Sequence, residues 1–189
     1  MLRNLFQTLY VLSLGGYVVA SGRIRERYER RVIERLSLED LHPGADEEAL
    51  VKIARLHPNV KVACTAARLI QGRAHKRTLV YDADLGIERR IAALPGLGEQ
   101  ELLRIVLEDD HILMRVAATE QLRDATTFEE IRLKSVAVTV RLAAARTCKD
   151  PEILTQYLRD RDERVRYEAR ASLKGLGMIP SPPTAPGLH

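Results

Sequence analysis

Apolar and polar positions alternate along the middle of this chain in one arrangement that is written four times. An arginine is followed by small or apolar residues and, seven positions on, by a leucine or cysteine. The four copies are Arg90-Ile91-Ala92-Ala93 with Leu97, Arg115-Val116-Ala117-Ala118 with Leu122, Arg141-Leu142-Ala143-Ala144 with Cys148, and Arg166-Tyr167-Glu168-Ala169 with Leu173. The arginines stand 25, 26 and 25 residues apart. A second apolar patch precedes each of them, as in Leu102, Leu103 and Val106 or Ile153, Leu154, Tyr157 and Leu158. Both patches have helical spacing, so the pattern predicts pairs of short helices joined by tight turns. A unit of this length buries its apolar face only by stacking on its neighbours.

The turns carry acid. Asp84, Asp109 and Asp160 each lie six residues before Arg90, Arg115 and Arg166, while Ser135 holds that place before Arg141. Acid in the turn and base in the following helix predict a ladder in which carboxylates also meet the neighbouring repeat. The acidic turn, the arginine, the paired alanines and the closing leucine resemble the HEAT-like α-solenoids, in particular their short bacterial forms and the leucine-rich-repeat variant. The resemblance covers about residues 46–175. It implies a scaffold or adaptor, with Asp84, Arg90, Asp109, Arg115, Asp160 and Arg166 at the ladder positions. Arg115, Arg141 and Arg166 are then the first candidates for contacting an acidic partner. Arg141 leads them, because Ser135 leaves it without the usual internal carboxylate.

The remaining segments frame this region. Asp150-Pro151-Glu152 is a helix start, Asp capping free N–H groups and Pro suiting the first helical position. Asp46-Glu47-Glu48 opens a divergent first repeat that turns at His57-Pro58-Asn59 and carries Lys61 at the basic position. The longer interval from Lys61 to Arg90 is read as an insertion in a loop from Gln71 to Arg77.

Residues 5–22 carry no charge. As a helix they would reach roughly 27 Å, a borderline membrane span. Three interpretations stand open. Leu5, Phe6, Leu9, Leu12 and Tyr17, with Arg23, Arg25 and Arg27 behind them, form a membrane anchor with the repeats on the cytoplasmic side, or a helix docked in a groove, or a cleaved signal peptide. Residues 23–36 read as a charged helix that stops before Leu41-His42-Pro43-Gly44. Its arginines suit an anionic membrane surface, a partner's acidic face, or plain solvent. The tail from Gly175 is rich in Pro and Gly and ends the last helix.

Composition narrows the chemistry. The 189 residues are 46% hydrophobic and 30% charged, with 4% aromatic and no Trp, which suits helices packed through Leu, Val, Ile and Ala. A net charge of +4, from 30 basic and 26 acidic residues, is too even to argue for nucleic acid. Cys64 and Cys148 both fall at apolar positions of second helices, as buried free thiols in a reducing compartment would. The five histidines form no HExxH pair. Asp82-x-Asp84-x-Gly86 lacks the glutamate that closes a calcium loop. Gly96-Leu97-Gly98 follows no strand and reads as a turn and cap.

The sequence thus predicts an all-α chain, an α-solenoid of about five HEAT-like helical pairs behind an N-terminal hydrophobic helix. Its segments are residues 1–22, 23–42, the repeat domain 43–175 and the tail 176–189. The expected role is a non-catalytic protein-binding scaffold or accessory subunit of a larger complex, membrane-bound or not, with no cofactor and no metal. A ligand binder or lyase of the bilin-lyase type and an electrostatic nucleic-acid binder are the alternatives.

Overall fold

The computed structural model describes residues 29–178, and every regular element among them is a helix. These residues divide into two compact units between Leu97 and Gly98. In the first, residues 29–33 are helical and a 3-10 turn covers Leu38–Asp40. Four helices follow: α1 Glu47–Leu56, α2 Val60–Leu69, α3 Arg73–Val80 and α4 Ile87–Ala92. The second unit holds α5 Glu99–Glu108, α6 Ile112–Thr119, α7 Ala125–Lys134, α8 Val138–Thr147, α9 Pro151–Tyr157 and α10 Glu163–Gly175.

In each unit an odd-numbered helix packs on the even-numbered helix after it, and helices of like parity lie side by side. In the first unit α1 meets α2 and α3, while α4 meets α2 and α3. In the second, α8 sits between α6 and α10, and α7 contacts both α5 and α9. Helices start where the chain supplies caps: Asp46, Asn59, Asp124, Asp150 and Asp162 each accept an N–H from the first turn that follows. Pro151 occupies the first position of α9, as expected. Gly44 and Gly96 have φ of 89° and 91°, a left-handed backbone that glycine adopts without strain.

The core of the second unit interleaves large residues from the odd helices with alanines from the even ones. Leu103, Val106, Phe128, Ile131, Leu154 and Tyr157 face Met114, Ala118, Val140, Ala144, Val165 and Ala169, all buried. Each fully buried Leu or Ile contributes about 1.5–3 kcal/mol. Tyr157 is buried to its hydroxyl, which donates to the Phe128 carbonyl at 2.8 Å and so joins α9 to α7. Burial pushes its phenol well above the usual range.

One expectation is corrected here. Residues 73–77 are not loop but the first turns of α3; α1, α3 and α5 start evenly at 47, 73 and 99, and the interval from Lys61 to Arg90 is long mainly because Lys61 is the second residue of α2 whereas Arg90 is the fourth of α4. The eight residues of α3 bury only Lys76, Leu79 and Val80, too few to show an apolar stripe in sequence. Lys76, 5% exposed, lays its stem in the core and donates to the Pro95 carbonyl. Its burial lowers the ammonium's pKa, with Glu47 opposing.

Residues 1–22 and the basic residues Arg23, Arg25 and Arg27 lie outside the described part, as does the tail from residue 179. Among the described residues no helix is long and apolar enough to cross a membrane.

Candidate functional site

The repeating arginines point at helix ends. Arg90 Nε donates to the Val80 carbonyl at 2.7 Å, and Arg115 Nε to the Val106 carbonyl at 2.6 Å. Arg141 donates to the carbonyls of Ser135 and Val136, both at 3.0 Å. Arg166 donates to those of Asp160 and Arg161 at 2.8 and 3.2 Å. Each arginine therefore sits over the C-terminal end of the odd helix in its own pair. Arg90 and Arg115 satisfy carbonyls that the helix leaves open, whereas Arg141 and Arg166 hold carbonyls of the turn just beyond it, and all four lie near the negative end of the dipole. In the first pair Lys61 is exposed, and Arg89 of α4 does this work, reaching the carbonyls of Ala54, Arg55 and His57 at 3.2, 2.6 and 2.7 Å.

In Arg115 and Arg141 a second nitrogen crosses to the next pair. Arg115 Nη2 reaches Ser135 Oγ at 3.3 Å. Arg141 grips Asp160 with two bonds, Nε to Oδ2 at 2.8 Å and Nη2 to Oδ1 at 3.1 Å, and the two side chains are 2% and 4% exposed. The expectation that Arg141 lacks an internal carboxylate, and so is open to a partner, is overturned: Asp160, 19 positions later, supplies it. Arg115 and Arg166 are also partly buried and engaged. Asp160 Oδ1 further accepts the Asp162 N–H at 2.9 Å. Burial opposes its charge, but the Arg141 guanidinium and that N–H outweigh it and hold the carboxyl below the usual carboxylate range.

The other ladder acids act nearer home. Asp109 accepts the His111 N–H at 2.9 Å, fixing the start of α6. Asp84 is exposed, and Asp82 takes both the Asp84 N–H, at 3.2 Å, and Arg55, at 3.2 Å. Asp82-x-Asp84-x-Gly86 is thus a turn with an ion pair. Among the described residues no group of three or more His, Cys, Asp or Glu is placed to hold a metal.

A second bond between repeats was not anticipated. Glu47, the first residue of α1, accepts the N–H groups of Gln71 and Gly72 at 2.9 and 2.7 Å, capping α3 from the pair before. Glu99, the first residue of α5, accepts those of Arg123 and Asp124 at 2.5 and 2.9 Å, capping α7 in the same manner. Both glutamates stand one repeat length ahead of the backbone they hold. His75 Nδ1 lies 2.7 Å from Glu47 Oε2, and with the Gly72 N–H it keeps that carboxyl below its usual range. Glu99 Oε2 has no hydrogen-bond partner among the described residues.

What these bonds leave open is the outward side of the even helices. At 3.6 residues per turn, Val116, Leu142 and Tyr167, each one place beyond the repeating arginine, fall opposite the buried Met114, Val140 and Val165 and the alanines that follow. Val116 and Leu142 are half-buried and Tyr167 is 70% exposed. Seven places further lie Arg123, Lys149 and Lys174, all exposed. Between the first two of these opens a groove of about 370 Å³ lined by Leu122, Ala125, Phe128, Thr147 and Cys148, with Glu120 and Asp150 also on its wall. Cys64 and Cys148 are free, buried thiols whose pKa burial raises, which suits core residues and not nucleophiles.

Compared with models of protein families, with curated proteins and with solved structures, the chain matches none.

Proposed function

We propose that this chain is a non-catalytic scaffold of HEAT-like helical pairs, an α-solenoid of about five repeats that holds a protein partner on the outward side of its even-numbered helices. One observation carries this proposal. In the second unit the arginines, the ladder acids and Glu99 are bonded into the helix ends, while the even helices keep a regular outer surface that mixes apolar and basic residues. A preformed surface of this kind binds with little ordering cost. The uncharged stretch at residues 5–22 suits a tether to a membrane or to a larger complex, with the repeats cytoplasmic.

A photo-crosslinking residue at Tyr167, in the full-length protein in its own cells, tests this directly. Crosslinking to one defined protein from Tyr167, but not from Thr155 on the opposite layer, is expected. Equal yields from both sites, or none from either, would contradict the proposal. The tether is tested separately by an alkaline carbonate wash: retention in the pellet that is lost on deletion of residues 1–22 supports a membrane anchor.

A further inference from the structure

The outward surface of the second unit repeats in two rows. Val116, Leu142 and Tyr167 make an apolar row across α6, α8 and α10, and Arg123 and Lys149, in the turns after α6 and α8, make a basic row with Lys174 in the last turn of α10. Arg146 lies between the rows, 2.9 Å from Glu168. Cations at helix C-termini are favourable in themselves, and Arg123 fulfils that role by donating to the carbonyls of Glu120 and Leu122. Lys149 and Lys174 are different. Both are exposed, and among the described residues neither forms an ion pair or a side-chain hydrogen bond. The groove opens between Arg123 and Lys149, so an apolar recess lies between two cations. Of its two acids, Asp150 already holds the N–H groups of Glu152 and Ile153 at 2.8 and 3.1 Å. Those N–H groups, at the positive end of α9, offset the Asp150 charge in part, so Glu120 is the acid that opposes an acidic ligand more directly.

Resting on the scaffold proposal, we infer that this surface receives an extended acidic segment of the partner, with carboxylates over Arg123, Lys149 and Lys174 and an apolar side chain in the groove. Neighbouring helices pack about 8–10 Å apart. An extended polyproline-type chain places every third side chain on one face, about 9 Å apart. Acids at every third residue therefore keep step with the basic row, and of the two residues between them, turned about 120° to either side, the one on the Phe128 side leans towards the recess. A nucleic acid or an anionic bilayer would also meet the cations, but neither offers an apolar side chain at the spacing of the groove.

The test is fluorescence anisotropy of a labelled short peptide with glutamate at every third position and leucine between, titrated with the full-length protein. A scrambled peptide of the same composition is the control. Saturable binding is expected, weaker for the scrambled peptide, and weakened at least about tenfold by Lys149→Glu with Lys174→Glu. Because neither lysine is bonded in the fold and only the contact of Lys174 with the α10 dipole is reversed, the melting temperature of that variant should fall by no more than about 4 °C. Ala125→Phe, which fills the groove, should weaken binding without altering the salt dependence. Absence of saturable binding, or equal binding by the charge-reversed variant, would overturn the inference. So would tighter binding of phosphatidylserine vesicles or a single-stranded oligonucleotide at the same lysines. If the peptide fails while crosslinking from Tyr167 persists, the scaffold stands and the acidic segment is wrong.

Discussion

The two units join their helical pairs alike at one end and differently at the other. Glu47 and Glu99 occupy the same helical position, and each caps the next odd helix through two backbone N–H groups. At the opposite end the units part. The second unit closes its turns with Arg141 and Asp160, a bidentate pair almost removed from water. The first has Arg55 and Asp82, a single contact at 3.2 Å between partly exposed side chains. The same chemistry is therefore worth very different amounts. An exposed pair contributes about 0–1 kcal/mol, whereas losing one member of a buried pair leaves the other charge stranded, at about 3–5 kcal/mol.

The largest expected effect follows from that contrast. Asp160→Ala should destabilise the protein by about 3–5 kcal/mol in urea unfolding, while Arg55→Ala should cost no more than about 1 kcal/mol. Equal losses would erase the difference between the units. Next comes the end they share. Glu47→Ala and Glu99→Ala should each cost about 1 kcal/mol, as lost helix caps do, and hydrogen exchange should quicken first at Gly72 and Asp124 respectively.

A smaller effect concerns pH. The Asp160 carboxyl is held below its ordinary value in the folded protein, so its contribution is complete above the ordinary carboxylate pKa of about 3.9 and is lost as pH falls through that range towards the lowered folded value. Glu47 follows the same sign. Unfolding curves collected from pH 6 down to pH 3 should show stability falling with pH, and Asp160→Asn should flatten that slope. The smallest effects belong to exposed apolar side chains outside these networks: Leu133→Gln and Leu113→Gln should change stability by no more than about 0.5 kcal/mol.

Much of this architecture is legible in the chain. The period, the helical pairs, the start at Asp150-Pro151 and the turn at Gly96 to Gly98 are all read from residue types whose local preferences are strong. The bonds between repeats are legible only in part. A fixed Asp-to-Arg spacing says that the two residues recur, but not that the arginine prefers a carbonyl, because every residue carries a carbonyl and none marks itself in sequence. Arg141 illustrates this: its own turn offers only Ser135, and the carboxylate it binds, Asp160, lies one repeat later. Helix α3 was lost because Lys76 takes the core position that Phe128 holds in α7. Glu47 and Glu99 did leave a signal, an acid one repeat length before the helix start it caps.

The most direct test of the account is a double-mutant cycle at Arg141 and Asp160, with unfolding free energies for Arg141→Met, Asp160→Leu and the pair. If these arginines join repeats and do not serve an open groove, the coupling energy should reach about 2–3 kcal/mol, so that the double variant loses that much less than the sum of the two single losses. Additive losses, with a coupling below about 0.5 kcal/mol, would contradict it.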